Sequence, residues 1–491
     1  VYPTATKLID ASQVSSALVL DLEDATTGVT LASSAGNDTI YTSGKNGLTV
    51  TNFEEGDTVQ LTTKGAVLQS TSYTDNDLTV VMKVNGNNQN IVLKNARNQN
   101  FSFLDSSGKA IPGVSGFFIY SLANNSITLN NDISAANIEK IASSTYPSTV
   151  TRIDASNVTN TSVNNAIVVE GNGKVNTFTL GTDANYGTIS GGAGNDIFYY
   201  AGGTVTISDY SASSNNSDTI QISSALTSVY KTEYDGDNLV VTFDEAGTNV
   251  LTIVGAKGKK LNVETASAAG TRVDDANQIA AVNKAISGFF SYDSTYSVNG
   301  TTGAKITLNS AATSIDTDSY PNTTIIAIDA SELGKAIKLE IGGSNVTSLK
   351  EVTGTNYSDT FVFLGGTGAV IKGFSAADTL QLKVSGANFK NTYFAADNAY
   401  EVTVESGDTG RNLVIELDNN DYVVLDGIGE DGNYVSSVKV TNASNQAVEG
   451  ISSYYSYEVS GTLQGTNRGN GKILTINPAY SGTIPAAAYP A

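Results

Sequence analysis

The sequence predicts an all-β chain of three tandem related modules, of β-roll or β-sandwich type, with little helix. Three observations carry this. First, the tetrapeptide Ile9-Asp10-Ala11-Ser12 recurs as Ile153-Asp154-Ala155-Ser156 and as Ile328-Asp329-Ala330-Ser331, each copy preceded by a Tyr-Pro pair at Tyr2-Pro3, Tyr146-Pro147 and Tyr320-Pro321. Self-similarity at a fixed period marks tandem supersecondary units. Second, short apolar-alternating runs are separated by Gly, Asn and Asp turns, which is strand punctuation. Third, helical periodicity is weak, and Thr, Val, Ile and Tyr abound, as β structure prefers. The modules are placed at 1–145, 146–319 and 320–491, with joints near Tyr146 and Tyr320.

Each module reads in the same order. After the Ile-Asp-Ala-Ser copy comes a strand: Ala17–Leu20, Ala166–Val169 or Ile337–Ile341. A turn with Asp leads into the next strand within Ser33–Tyr41, Gly191–Tyr199 and Gly354–Val362. A second turn, after an aromatic residue, ends in Asp-Thr and opens another strand within Thr51–Leu61, Ser208–Ile222 and Lys372–Leu382. A hairpin comes next, expected at Leu78–Val84 with Ile91–Leu93, at Leu239–Phe243 with Val250–Val254, and at Tyr400–Val404 with Leu413–Leu417. Gly and Asn in its turns tolerate positive φ. Modules close on an aromatic cluster (Phe117–Tyr120, Phe289–Tyr292, Tyr454–Tyr457) and a last strand (Ile127–Asn130, Ile306–Asn309, Leu474–Asn477). Two stretches, Ser134–Ala142 and Asp275–Ile286, have short helical character.

The composition excludes several kinds of chemistry. With no Cys, no His and no Trp, the chain can form neither disulfides, nor imidazole or thiolate zinc sites, nor a His-dependent nucleophile. Acid/base pairs of Asp and Glu remain. The formal charge of −21 opposes nucleic acid and anionic membrane surfaces and favours cations. No apolar run reaches the ~20 residues needed to cross a bilayer as a helix, so no membrane insertion is expected.

Gly191-Gly192-Ala193-Gly194-Asn195-Asp196-Ile197-Phe198-Tyr199 fits the nonapeptide G-G-x-G-x-D-x-U-x in full. It resembles the RTX or haemolysin-type calcium repeat. That resemblance implies a parallel β-roll, with Phe198 plugging its interior and calcium held by Asp196 in the turn made by Gly191, Gly192 and Gly194, since calcium takes carboxylate and carbonyl oxygens. Carried over by position, it adds Asp38 and Asp359 from the partial copies, and Asp57, Asp218 and Asp378 from the later turn. For these last three, capping of turn amides is the stronger reading. Only one copy is complete, with Gly181–Ser190 as its degenerate neighbour. Asp10, Asp154 and Asp329 read as turn or helix-start residues.

The chain also resembles bacterial S-layer and RTX-type surface proteins in being acidic, Thr/Asn/Gly-rich and free of Cys. This implies an extracellular, cell-surface structural subunit of a filament or lattice, assembling head-to-tail with itself and stabilised by calcium, and not an enzyme. The alternative is an adhesin or stalk that binds surface glycans, with the aromatic clusters as stacking platforms; packing within the fold is the plainer role for those clusters.

Overall fold

The computed structural model describes residues 6–24, 28–44, 47–133, 138, 140–158, 167–181, 185–273, 282–298, 300–315, 325–343, 348–395, 412–428, 438–448, 450–462, 470–477, 480 and 482–484. The chain is nearly all β, 47% strand against 2% helix. It divides into two compact units, Val1–Leu226 with Thr242–Gly255 and Leu261–Asp274, and Thr227–Val241 with Ala256–Lys260 and Asp275–Ala491. The division therefore runs through the second sequence module rather than along either joint.

Both units are parallel β-solenoids. Each coil contributes a short strand to one sheet and then a short strand to a second. In the first module Leu8–Asp10, Thr30–Ala32, Leu48–Val50 and Asn87–Leu93 stack in parallel. Val19–Leu22, Thr39–Thr42, Thr58–Leu61 and Ser102–Leu104 form the second stack. The second module stacks Arg152–Ala155, Thr177–Leu180, Ile197–Tyr200, Thr219–Ser223 and Val263–Ala268, with Val168–Glu170, Asn185–Ser190, Thr204–Ile207 and Val250–Ile253 in the other sheet, where Lys140–Ile141 from the end of the first module is the first rung. In the second unit, Ile325–Asp329, Glu351–Thr353, Thr367–Lys372 and Tyr422–Leu425 form one stack. Ser314–Ile315, Lys338–Ile341, Thr360–Phe363, Thr379–Leu382 and Lys439–Thr441 form the other.

The alternation seen in the sequence sets which side chains point inward, and the in-register stacking sets what they meet. Ile153, Phe178, Phe198 and Ile220 occupy one column, each fully buried. The Phe178 and Phe198 rings stack at 5.2 Å with 13° between planes. Leu339, Phe361, Leu380 and Val440 make the equivalent column in the second unit. Phe198 thus fills the interior as the nonapeptide resemblance implies.

Each module closes on an antiparallel hairpin: Phe118–Ser121 with Ser126–Leu129, Phe290–Val298 with Thr301–Leu308, and Tyr455–Thr462 with Asn470–Ile476. A buried threonine hydroxyl supports each one. Thr71, Thr232 and Thr392 accept the backbone N–H of Tyr120, Tyr292 and Tyr457 at 2.7, 2.8 and 2.8 Å. The recurrence therefore holds at the level of single hydrogen bonds. At two joints the closing strand is also the first rung of the next module: Ser126–Leu129 pairs in parallel with Arg152–Ala155, and Thr301–Leu308 with Ile325–Asp329.

Four sequence expectations are corrected. In modules one and three, the Ile-Asp-Ala-Ser strand and the strand after the Asp turn lie in different sheets; in module two they share one. The cause is length: Asp38 comes 28 residues after Asp10 and Asp359 comes 30 after Asp329, but Asp196 comes 42 after Asp154. The surplus adds half a coil, including the strand Thr177–Leu180.

In the third hairpin, Asn412–Leu417 is not the return strand. It pairs with Phe389–Ala395 on one side and Tyr422–Leu425 on the other, and Tyr400–Val404 lies outside the described residues. Within Ser134–Ala142, residues 140–141 are strand, and 134–137 and 139 lie outside the described residues. Of Asp275–Ile286, residues 275–281 also lie outside them, and 282–285 form a single helical turn.

The nonapeptide's neighbour is the fourth correction. Gly181–Ser190 supplies a strand of the other sheet, whereas Thr177–Leu180 lies in register beneath Ile197–Tyr200. The true partner turn is therefore the one at 171–176, one whole coil earlier.

Candidate functional site: a ladder of stacked aspartates

All six sequence-selected aspartates sit at the same place in a coil, the corner residue just before a strand. All are buried, none more than 2% exposed. Buried carboxylates require partners, and the fold supplies them in one repeating pattern. Each Oδ1 accepts the backbone N–H of the corner in the preceding coil. Leu18 donates to Asp38 at 2.7 Å and Asp38 to Asp57 at 2.8 Å. Asn176 donates to Asp196 at 2.7 Å and Asp196 to Asp218 at 2.9 Å. Ile337 donates to Asp359 at 2.9 Å and Asp359 to Asp378 at 2.6 Å. In return, the first strand residue above donates to the corner carbonyl below, as Thr58 does to Asp38 (2.8 Å) and Thr379 to Asp359 (2.9 Å). The side chain thus extends the parallel ladder one residue past the strand, where the turning backbone offers no carbonyl.

The second oxygen serves the aspartate's own turn. Asp38 Oδ2 accepts Ser34 N–H at 2.7 Å and Asp359 Oδ2 accepts Thr355 N–H at 2.6 Å, while the Ser34 and Thr355 hydroxyls donate to the Oδ1 atoms. Asp57, Asp218 and Asp378 take the N–H of Glu54, Ser211 and Ser375 at 3.0, 2.8 and 2.6 Å. Burial pushes the Asp57 and Asp378 carboxyls up from the ordinary value, against the N–H groups that favour the charged form.

Asp196 breaks the pattern. Its Oδ2 is buried and has no hydrogen-bond partner. The donor expected there is the N–H of Gly192, four residues back, but it goes to Asp209 Oδ2 at 2.8 Å. The Gly191 N–H goes to Asp209 Oδ1 at 2.7 Å, and Ser190 Oγ also donates to Asp209, at 2.6 Å. A glycine at 192 provides no hydroxyl to take over the role of Ser34 or Thr355. Burial, with the nearby Asp218 and Asp209 charges, pushes the Asp196 carboxyl up to about 7, even though Asn176 N–H favours ionisation.

The glycines of the nonapeptide are explained by close approach. A Cβ on Gly191 would lie 2.4 Å from Asp196 Oδ2, and one on Gly194 would lie 2.6 Å from the Lys174 carbonyl of the coil below, at a φ of +134°. Gly191→Ala is accordingly expected to lower stability by about 1–3 kcal/mol, the usual cost of overpacking. Urea unfolding at pH 8 measures it.

Calcium fits these residues unequally. At Asp38, Asp57, Asp218, Asp359 and Asp378 both oxygens face N–H donors, an environment built for a carboxylate and hostile to a cation. Among the described residues no group of three or more acidic side chains is placed to hold a metal. At Asp196 one carboxylate oxygen is open, and the turn packs on the Gly171 and Asn172 carbonyls, which lie 3.2 and 2.9 Å from where a Gly192 Cβ would stand. Among the six aspartates, Asp196 is the one with a carboxylate oxygen not taken up by a donor, and carboxylate and carbonyl oxygens are what a hard cation takes.

Sequence reasoning missed Asn176, Asp209, Ser34 and Thr355. A coil spacing of about twenty residues, visible in Asn176, Asp196 and Asp218, was the signal for the first.

Asp10, Asp154 and Asp329 are strand residues, at or next to the strand's last position, and start no helix; the turn expected at them begins at the serine two residues on. In each, Oδ1 accepts the N–H of the serine two residues on at 3.0 Å, and that serine's hydroxyl at 2.6–2.7 Å. The aromatic clusters are largely buried: Phe117, Phe118, Tyr120, Phe290, Tyr292, Tyr454, Tyr455 and Tyr457 are core residues, closed to a stacking ligand. No helix among the described residues is long and apolar enough to cross a membrane. Comparison with family models, curated proteins and solved structures finds no match to this chain.

Proposed function

We propose that this chain is a structural subunit of an extracellular, cell-surface filament or lattice, assembling head-to-tail. The observation that supports it is the joint. One module's closing strand serves as the first rung of the next, so modules extend one another by continuing the solenoid. Filaments or sheets of purified chain in negative-stain images, with matching light scattering, are the expected result. A monodisperse monomer at high concentration counts against the proposal.

Calcium enters this reading at the Asp196 turn, where it would satisfy the open oxygen. At pH 8 the wild-type melting temperature should rise on replacing chelator with millimolar calcium, and Asp196→Asn should remove that rise. An equal rise in both proteins assigns the ion elsewhere.

A second reading, a glycan-binding stalk, draws on a polar groove of about 470 Å³ on the outer face of the first joint, lined by Asn124, Ser126, Thr128, Arg152, Asp154 and Thr179 among others. Glycan-array binding that Arg152→Ala abolishes would favour it over a purely structural role.

A further inference from the structure

We infer that the contact between copies is a parallel rung with a defined register, in which the strand Asn470–Ile476 of one copy lies on Leu8–Asp10 of the next; this rests on the head-to-tail reading above. Both strands are open on one edge among the described residues. Leu8–Asp10 pairs only with Thr30–Ala32, and Asn470–Ile476 only with Tyr455–Thr462. Their counterparts elsewhere in the chain are paired on both edges. Ser126–Leu129, which matches Asn470–Ile476, carries Arg152–Ala155, which matches Leu8–Asp10. Thr301–Leu308 likewise carries Ile325–Asp329.

The two joints agree residue by residue. Ile127 pairs with Ile153 and Thr128 with Asp154; Ile306 pairs with Ile328 and Thr307 with Asp329. Transferred by position, Leu474 of one copy meets Ile9 of the next, Thr475 meets Asp10, and Ile473 meets Leu8. The other sheet is also continued in parallel across both joints. Ile141 pairs with Val169 at the first joint and Ile315 with Leu339 at the second.

Burial points the same way. Leu129 and Leu308 are 3% and 2% exposed inside the joints, whereas Ile476, at the same position in the last copy, is 46% exposed. Ile127, Ile153, Ile306 and Ile328 are fully buried, whereas Leu474 and Ile9 are only half-buried. A second copy in this register covers the apolar residues that the internal joints cover. It also pairs the main-chain groups along edges that carry no second strand among the described residues. The contact is heterologous, so it propagates until a rotation closes it.

The chain has no cysteine, so an engineered pair is the only thiol pair present. Leu8→Cys combined with Ile473→Cys, oxidised under assembly conditions, should give a ladder of covalent multimers on a denaturing, non-reducing gel. Leu8→Cys combined with Thr475→Cys is offset by two residues. That places its Cα atoms about 8 Å apart, from ~3.3 Å rise per residue and ~4.8 Å between strands, beyond the ~7 Å reach of a disulfide; it should stay uncrosslinked. Wild-type assembly with no ladder, or with equal ladders from both pairs, overturns the register while leaving the assembly reading standing. A wild-type chain that stays monomeric overturns both.

Discussion

Asp38→Ala should unfold in urea with a loss of about 2–6 kcal/mol, because it strands the Leu18 and Ser34 backbone N–H groups in a buried corner at roughly 1–3 kcal/mol each. Both now end on the Asp38 carboxylate at 2.7 Å, and the Ser34 hydroxyl loses its acceptor with them. Asp38→Asn should fall between wild type and alanine, since one oxygen remains to accept while the new NH₂ confronts an N–H. Chelator should leave the wild-type transition unchanged in its contribution from this corner, whose oxygens are filled by donors. A loss below about 1 kcal/mol in the alanine variant would mean that water replaces the carboxylate without penalty, and the ladder would not be what holds adjacent corners together.

Asp196 should respond in the opposite sense. Its carboxyl is raised from 3.8 to about 7 in the folded chain, so the folded state holds this proton more tightly than the unfolded state. Stability should therefore fall as pH rises from about 4 to about 7 and level off above, with this group's contribution fully favourable only while it is protonated. At ~1.4 kcal/mol per unit, a shift of this size amounts to a few kcal/mol. Asp196→Asn should remove that slope and, in chelator at pH 8, melt above wild type. Asn176 shows that the coil accepts an amide at this position: its Oδ1 takes the Asn172 N–H at 2.8 Å while its Nδ2 donates to the Val150 carbonyl at 3.2 Å. Asp57 and Asp378 are also raised, so wild type and variant share a residual slope, and the difference between the two curves is the measurement. An Asp196→Asn protein that melts below wild type at pH 8 and keeps the full slope would show that Oδ2 is not an uncompensated anion.

These opposite expectations for two aspartates of one ladder separate the local from the long-range contribution. Short alternating runs such as Thr39–Thr42 and Thr379–Leu382 were legible in the sequence because inward and outward positions obey the two-residue period of a strand. The corner aspartates were legible as well: Asp before Thr marks a turn with amides to cap, and the structure extends that role from Asp57, Asp218 and Asp378 to Asp38 and Asp359. Phe198 as an interior plug is implied by its place in the nonapeptide.

The sequence by itself determined where strands and corners fall, because φ/ψ preference, alternation and turn chemistry act within a few residues. The tertiary structure decided which corner rests on which. The turn at 171–176, not Gly181–Ser190, lies beneath the nonapeptide because a coil takes about twenty residues here and successive half-coils belong to different sheets. Module two exchanges its faces because its added half-coil shifts every later strand across the solenoid. Asp196 has an open oxygen because Asp209, thirteen residues later along the chain, reaches the Gly191 and Gly192 N–H groups. Competition between two carboxylates for one set of donors is settled by their positions in space, and spacing along the chain does not disclose it.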